Sequence, residues 1–307
     1  MSKSRTRMPI TDNAQNIFGQ PLSIFGLPVD RATIFSNEKK IHKAKIEKRQ
    51  RRLIAKITFI KFFLQDGEVI QCVTTGYSPV RWMEQLLTGP AFLYFKRAMF
   101  VFTDRRLLHV PTSFNRSAHS AVSQVMYEDC ASMAIKGRML VIAYKNGRQE
   151  TFPYLGRKEK KKIKALIGQL PIRPKEAGRL QGRVHLCPGC TRVLPRNTRQ
   201  CRHCKLTFKT RRMAVLMALL VPGGGYLYSR HSVLALVTGG MEILMLAVVA
   251  THLGSDHTLT PYPNLPLPIV PVAIALLAMI KWITAFHSLE LIGEFMPGPR
   301  QFDQRKI

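Results

Sequence analysis

Two long apolar runs near the C-terminal end constrain this chain more than any other feature. Residues 232–252 form a run of 21 and residues 269–286 a run of 18 that extends to Ile292. A helix rises 1.5 Å per residue, so each run suffices to cross a hydrocarbon core about 30 Å thick. The loop between them, 253–268, contains no Lys or Arg, whereas Lys205, Lys209, Arg211 and Arg212 precede the apolar region and Arg300, Arg305 and Lys306 follow it. Basic flanks stay in the cytoplasm, which places both chain ends inside and the Pro-rich loop outside.

That assignment requires an even number of crossings. Residues 213–228 are also apolar but are broken at Pro222, Gly223, Gly224 and Gly225. We read this segment as dipping in and returning at that hinge; a full crossing, which would make the count odd, stays open. Glu242 and Lys281 lie inside the two clear runs, ten and twelve residues from their outer ends. Charge inside a membrane is costly and marks either a pairing or a function. Similar depth on adjacent antiparallel helices predicts an ion pair, with an ion or substrate path as the alternative. Gly239 and Gly240 allow close helix approach.

The strongest chemical signal is a double CxxC. Cys187 and Cys190 are followed after ten residues by Cys201 and Cys204. Each pair makes a knuckle that offers two sulfurs to one ion, and four thiolates form the closed tetrahedral shell of structural zinc. One Zn²⁺ would supply the folding free energy that a segment of this size cannot draw from a core. A rubredoxin-like iron site is the alternative. A thioredoxin role lacks the βαβ setting, and haem attachment lacks the CxxCH run. Six cysteines in 307 residues are too few for a disulfide scaffold, and free thiolates point to a reducing compartment.

The N-terminal two thirds are basic, and the whole chain carries 47 Lys+Arg against 18 Asp+Glu, a formal +29. Residues 1–37 show no secretory pattern and are expected to be mostly disordered. In residues 38–64, Ile46, Leu53, Ile57, Ile60 and Leu64 share one helical face amid ten Lys or Arg. This basic amphipathic helix either packs its stripe on the next domain or lies on anionic lipid, with Lys39, Lys40, Lys43, Arg49, Arg51 and Arg52 as contacts. Lys160, Lys161 and Lys162 are further candidates for headgroup contact. Nucleic acid is the weaker reading, because no aromatic platform or base-reading motif accompanies the charge.

Residues 65–170 carry short apolar runs, turn residues at 103–105, an Asn146-Gly147 hairpin signal of type I′, and a closing helix near 157–170. The pattern predicts an α+β module: a small β-barrel or paired sheets capped by that helix. Cys72 and Cys130 fall in strand-like surroundings and carry no assigned role. Residues 171–184 read as a basic linker and hinge, 185–209 as the ribbon, 210–292 as the membrane domain and 293–307 as a cytoplasmic tail.

Two resemblances add to this. Gly67-Glu68, then Thr103-Asp104-Arg105-Arg106-Leu107, then Asn146-Gly147, resemble bacterial pleckstrin-homology-like (PH-like) domains across about 100 residues. The resemblance implies a small PH-like barrel that serves as a scaffold at the bacterial inner membrane. Its residues would shape turns, with phosphate binding by Arg105 and Arg106 as the alternative. The stretch 221–230 is similar in part to the hinge of a two-helix membrane family, with Ser229 where that family has Gly; the full family pattern would make the first segment a true crossing.

No P-loop, HExxH, GxSxG or paired-carboxylate pattern is present. The expectation is a non-catalytic, membrane-anchored adaptor with anionic lipids and unidentified proteins as partners, able to form homo-oligomers. A small oligomeric channel or transporter subunit using Glu242 and Lys281 is the first alternative. A membrane-tethered nucleic-acid-binding zinc module is the second.

Overall fold

The structure is a computed structural model that describes residues 22–79, 96–112, 122–172, 182–195, 198–254 and 269–292. It is a mixed α+β molecule with two sheets, a four-cysteine cluster and two long apolar helices. The outer loop 255–268 and the tail 293–307 lie outside the described residues.

Within the stretch expected to be mostly disordered, residues from Leu22 onward are structured, and residues 1–21 lie outside the described residues. Strands β1 (Leu22–Ile24) and β2 (Leu27–Val29) pair as a hairpin. Phe25 and Gly26, between them, both have positive φ (50° and 77°), the requirement of a type I′ turn. Helix α1 (Arg31–Ile34) starts at Asp30, whose side chain accepts from Ala32 N–H at 3.0 Å. The basic helix is shorter than its apolar period: α2 covers Ala44–Ile54, and a 3-10 turn follows over Thr58–Phe63. Ile57 leaves the helical region (φ −123°), in a run rich in β-branched residues that crowd a helix. Leu53, Ile57 and Ile60 nevertheless bury together, so the stripe packs on the sheet.

The larger sheet contains the antiparallel meander β3 (Ile70–Tyr77), β4 (Arg97–Thr103), β5 (Arg106–Pro111) and β6 (Val122–Met126). The smaller is the meander β7 (Cys130–Lys136), β8 (Met139–Tyr144) and β9 (Gln149–Phe152). Helix α3 (Lys160–Ile167) follows. Alternate residues of a strand face opposite sides, and β4 shows why its sequence is almost continuously apolar. Met99 and Val101 enter one core with Leu53, Ile54 and Ile57, while Ala98, Phe100 and Phe102 enter the other with Ile142, Phe152 and Ile163. Each such side chain contributes about 1.5–3 kcal/mol on burial. The larger sheet is thus covered on both faces, by α2 and its 3-10 turn on one side and by the second sheet with α3 on the other. Among the described residues the sheets pair without closing into a barrel.

Two turns differ in detail from expectation. Between β8 and β9, Gly147 has φ 78° and Asn146 does not have positive φ. Tyr144 N–H donates to Arg148 O at 2.8 Å, which closes a three-residue loop with glycine in the left-handed position rather than a type I′ turn. Between β4 and β5, the Thr103 hydroxyl accepts from Arg105 and Arg106 N–H at 3.2 and 3.0 Å. Asp104 instead reaches across to Val69 N–H at 2.9 Å.

The stretch expected to be a hinge ends in structure. Strand β10 (Val184–Leu186) pairs antiparallel with β6, and β11 (Val193–Leu194) pairs with β10, so the ribbon extends the larger sheet to eight strands. Arg183 anchors the junction with Nε 3.2 Å from Glu150 and its guanidinium over the Phe152 ring. The helical part comprises α4 (Arg211–Leu220), α5 (Gly224–Tyr228), α6 (Ser232–Gly254) and α7 (Ile269–Ile292). The last two are long and apolar enough to cross a membrane over Ser232–Thr251 and Val270–Ile292.

Candidate functional site

The four ribbon cysteines converge. Cys187 Sγ lies 3.4 Å from Cys204 Sγ, Cys190 Sγ lies 3.5 Å from Cys201 Sγ, and all four sulfurs fall within 4.8 Å of one another. A disulfide would need about 2.05 Å, whereas a tetrahedron of sulfurs at 2.3 Å from one ion has edges of about 3.8 Å. The donor set therefore fits one thiophilic metal ion.

Two equivalent knuckles build it. Cys187 N–H donates to Arg192 O and Thr191 N–H to Cys187 O, both at 2.8 Å; Cys201 N–H donates to Leu206 O at 2.8 Å and Lys205 N–H to Cys201 O at 3.0 Å. Thr191 and Lys205, each directly after a second cysteine, both take φ 59°. A Cβ on Gly189 would sit 3.1 Å from Cys204 Sγ, so glycine there lets the knuckles meet. Burial alone would raise the Cys201 thiol, but N–H groups of Cys204 and His203 outweigh it and hold it at about 6. Leu194, Leu206 and Phe208 cover the cluster. Cys72 and Cys130 lie elsewhere in the sheet core, where burial pushes their thiols up to about 11 and 12.

Glu68 and Arg106, which belong to the Gly-Glu and Thr-x-x-Arg motifs, meet in the core. Arg106 Nε donates to Glu68 Oε1 at 2.9 Å and Nη2 to Oε2 at 2.7 Å. Its remaining donors reach Phe63 O at 2.6 Å and the Gln124 side chain. Thr103 Oγ1 donates to Glu68 Oε1 at 2.8 Å, and Gln65 N–H to Oε2 at 2.8 Å. Burial would raise the Glu68 carboxyl, but Arg106, Gln65 and Thr103 hold it below the usual range. Arg106 is thus a buried structural cation, closed to phosphate, while Arg105 stays at the surface.

A second buried cluster had no sequence signal. Ser78 Oγ lies 2.9 Å from His109 Nε2, and His109 Nδ1 faces Ser123 Oγ at 3.0 Å and Arg183 at 3.4 Å. A serine beside a histidine suggests nucleophilic chemistry, but this ring is 0% exposed and lacks an orienting carboxylate among the described residues. Burial first, then Arg183, hold it well below the ordinary imidazole range, so it stays neutral.

The charges within the apolar helices also meet. Lys281 Nζ is 2.8 Å from Glu242 Oε2, and Glu242 is 0% exposed. Lys281 also donates to Ala218 O at 3.0 Å and Val221 O at 3.3 Å, the end of α4, while Gly223 N–H donates to Glu242 Oε2 at 3.2 Å. The pair therefore caps the broken helix as well as joining α6 to α7. The hinge is glycine for steric reasons. Gly223 has φ 64°, and a Cβ there would lie 2.1 Å from Ala235 O. Added Cβ atoms on Gly224 and Gly225 would meet Met217 O at 2.2 Å and Ser288 Oγ at 2.4 Å. Pro222 packs by its carbonyl on Gly239, where a Cβ would sit at 3.1 Å, while Gly240 faces open space. Beyond the hinge the chain doubles back: Thr210 N–H donates to the Tyr228 hydroxyl at 3.2 Å, and Lys209 Nζ donates to Tyr228 O. The entry and exit of this segment are therefore neighbours.

The basic residues assigned to lipid separate into two groups. Lys39, Lys40, Lys43, Arg52 and Lys161 are exposed, and Lys160 is half-buried. Lys162 is corrected: it is 6% exposed and donates to Ile34 O at 2.7 Å, which fastens α3 to α1 and removes it from any headgroup. Arg49 pairs with buried Glu159, and Arg51 pairs with Glu47 at 2.8 Å and stacks on Phe35.

Compared with known proteins, the chain matches no protein-family model, no curated protein and no solved structure.

Proposed function

We propose that the chain is an integral membrane protein held by α6 and α7, and that its paired sheets and ribbon form a non-catalytic adaptor platform at the cytoplasmic face. The observation that carries this reading is the continuous sheet. Because β10 pairs with β6, the cysteine module and the paired sheets are one unit, joined to α4 through Lys209 and Thr210. The two antiparallel meanders capped by α3 support the PH-like resemblance in their layering, while the sheets do not close into the barrel it implies among the described residues. Zinc is the ion a shell of four thiolates favours, and reduced thiols agree with a cytosolic, bacterial inner-membrane setting.

The segment from α4 to α5 is read as re-entrant. Ten helical residues descend about 15 Å, half of a 30 Å core, and Thr210 and Tyr228 meet at the same level. The channel alternative draws on Glu242 Oε1, which is buried without a hydrogen-bond partner among the described residues. The three acceptors on Lys281 favour a structural clamp instead.

Cysteines introduced one at a time at Ser255 and Gln304 test the topology: the first should label from outside the cell and the second should not. Equal labelling would remove the two-crossing arrangement. A protein partner crosslinked to the platform of the full chain should be lost in Cys201→Ser while membrane insertion persists. Recovery of the same partner with both chains would remove the ribbon from the adaptor surface. Vesicles holding the wild type should conduct ions no better than vesicles holding Glu242→Gln; a wild-type excess would support the channel reading.

A further inference from the structure

From residue 177 to residue 241 the sequence contains eleven Lys or Arg and no Asp or Glu. Charge in the ribbon is drawn toward a cluster of thiolates, but charge at the foot of the re-entrant segment has no such counterpart. Lys209 is 8% exposed, and of its three donors one reaches Tyr228 O, with the Tyr228 ring 5.1 Å away. Burial first, and then the like charge of Arg230, lower its ammonium to about 8. Among the described residues no carboxylate acts on it. Arg230 has positive φ (65°), is exposed, and its guanidinium has no side-chain partner among the described residues.

Helix α4 adds a second, independent imbalance. Its first turn holds Arg211 and Arg212 and no acidic residue. Cations at a helix N-terminus oppose the positive end of the macrodipole, whereas an anion there is favoured. Two cations at 209 and 230, one of them buried and neither paired with a carboxylate among the described residues, therefore stand beside a helix start where only the neutral Thr210 hydroxyl caps the Met213 N–H.

We propose that Lys209, Arg230 and the first turn of α4 form a binding site for a phosphate-type anion. The phosphodiester of an anionic lipid headgroup fits its position, directly before both α4 and α6. This site is separate from the lysines of α2 and α3. It rests on the reading of α6 and α7 as membrane spans. An anion bridging Lys209 and Arg230 would tie the entry of the re-entrant segment to its exit, so lipid would stabilise the fold of the hinge.

The test uses the full chain, delipidated in neutral detergent and titrated with short-chain phosphatidylglycerol, phosphatidylcholine or inorganic phosphate. Bound ligand is counted by native mass spectrometry, and thermal unfolding is followed in parallel. Phosphatidylglycerol should be retained and should raise the melting midpoint, and phosphatidylcholine should do neither. Arg230→Gln should weaken retention about fivefold, and Lys209→Met with Arg230→Gln roughly 25-fold, since each cation near an anionic surface is worth about that factor. Arg230→Glu guards against misfolding of the double variant. By placing a carboxylate beside Lys209, it should raise the midpoint without lipid and abolish the response to phosphatidylglycerol. A response to inorganic phosphate alone would support the site and assign its anion to a soluble source. Equal retention of the two lipids with no response to phosphate, or phosphatidylglycerol retention unchanged in both Arg230 variants, would overturn the proposal. Alkaline extraction of cell membranes separates the two layers of the argument. Release of the chain would overturn the spans, and the phosphate arm would still decide the site.

Discussion

Lys281→Met and Glu242→Gln remove opposite halves of one ion pair, and the structure makes their costs unequal. Without Lys281, a fully buried carboxylate keeps only the Gly223 N–H, and two carbonyls at the end of α4 lose the lysine's hydrogen bonds, Val221 O keeping only the Gly224 N–H. A stranded buried charge costs about 3–5 kcal/mol, and each interhelical hydrogen bond lost in a membrane adds about 1 kcal/mol, so Lys281→Met should cost roughly 5–7 kcal/mol. With Glu242→Gln, the amide oxygen still accepts and Lys281 keeps both carbonyls, so the loss falls to about 1–3 kcal/mol. The double variant strands no charge yet leaves α4 uncapped, and about 2–3 kcal/mol should remain. The assay is a double-mutant cycle on the full chain in mild detergent, unfolded by titration with a denaturing detergent. The double loss should fall short of the summed singles by about 5 kcal/mol, the mid-range of those costs. Equal single losses would refute the capping role of Lys281. Additivity within about 0.5 kcal/mol would refute the contact itself.

Three further outcomes follow from the geometry. Glu68→Gln should destabilise by about 3–5 kcal/mol by stranding buried Arg106; because the folded carboxyl lies below the usual range, its contribution is complete above about pH 4.3 and drains as pH falls toward the lowered value. Acid unfolding curves of wild type and variant should therefore converge at low pH, and parallel curves would count against the pair. Gly223→Ala should lower the melting midpoint sharply, because its Cβ would lie 2.1 Å from Ala235 O at positive φ, whereas Gly240→Ala meets open space and should be neutral or slightly stabilising; similar midpoints for the two would contradict the packing of the hinge. The full chain should bind about one zinc, and chelation should speed hydrogen exchange at Val122, Ser123 and Gln124, which pair with β10; unchanged exchange on metal removal would disconnect the ribbon from the sheet.

Local chemistry was legible in the sequence, whereas long-range pairing outside the two apolar helices was not. The metal ligands declare themselves because two residues separate the partners within each knuckle. The apolar helices declare themselves by composition, and the similar depth of Glu242 and Lys281 pointed to their meeting. The second role of Lys281, at the end of α4, depends on a fold-back that its own helix does not encode. Glu68 and Arg106 are 38 residues apart and meet only through the register of β3, β4 and β5. Lys162 stands in a run of lysines that reads as a solvated face, yet its acceptor lies 128 residues earlier. The hairpin from Leu22 to Val29 escaped because three-residue strands carry no period. A hinge was expected before the ribbon because charge and proline suggest slack chain, whereas three residues at its end are enough to add a strand.

That added strand gives the molecule a mechanical path. Load applied through α4 passes first to Phe208 and Lys209, then across the cysteine knuckles, and then through β10 into β6 by backbone hydrogen bonds. Among the described residues no slack tether lies along that route. Bilayer thinning or tilt that tugs on α4 would be felt as strain at the cysteine knuckles and at the edge of the sheet, and the ribbon would serve as the stiff coupling between the two.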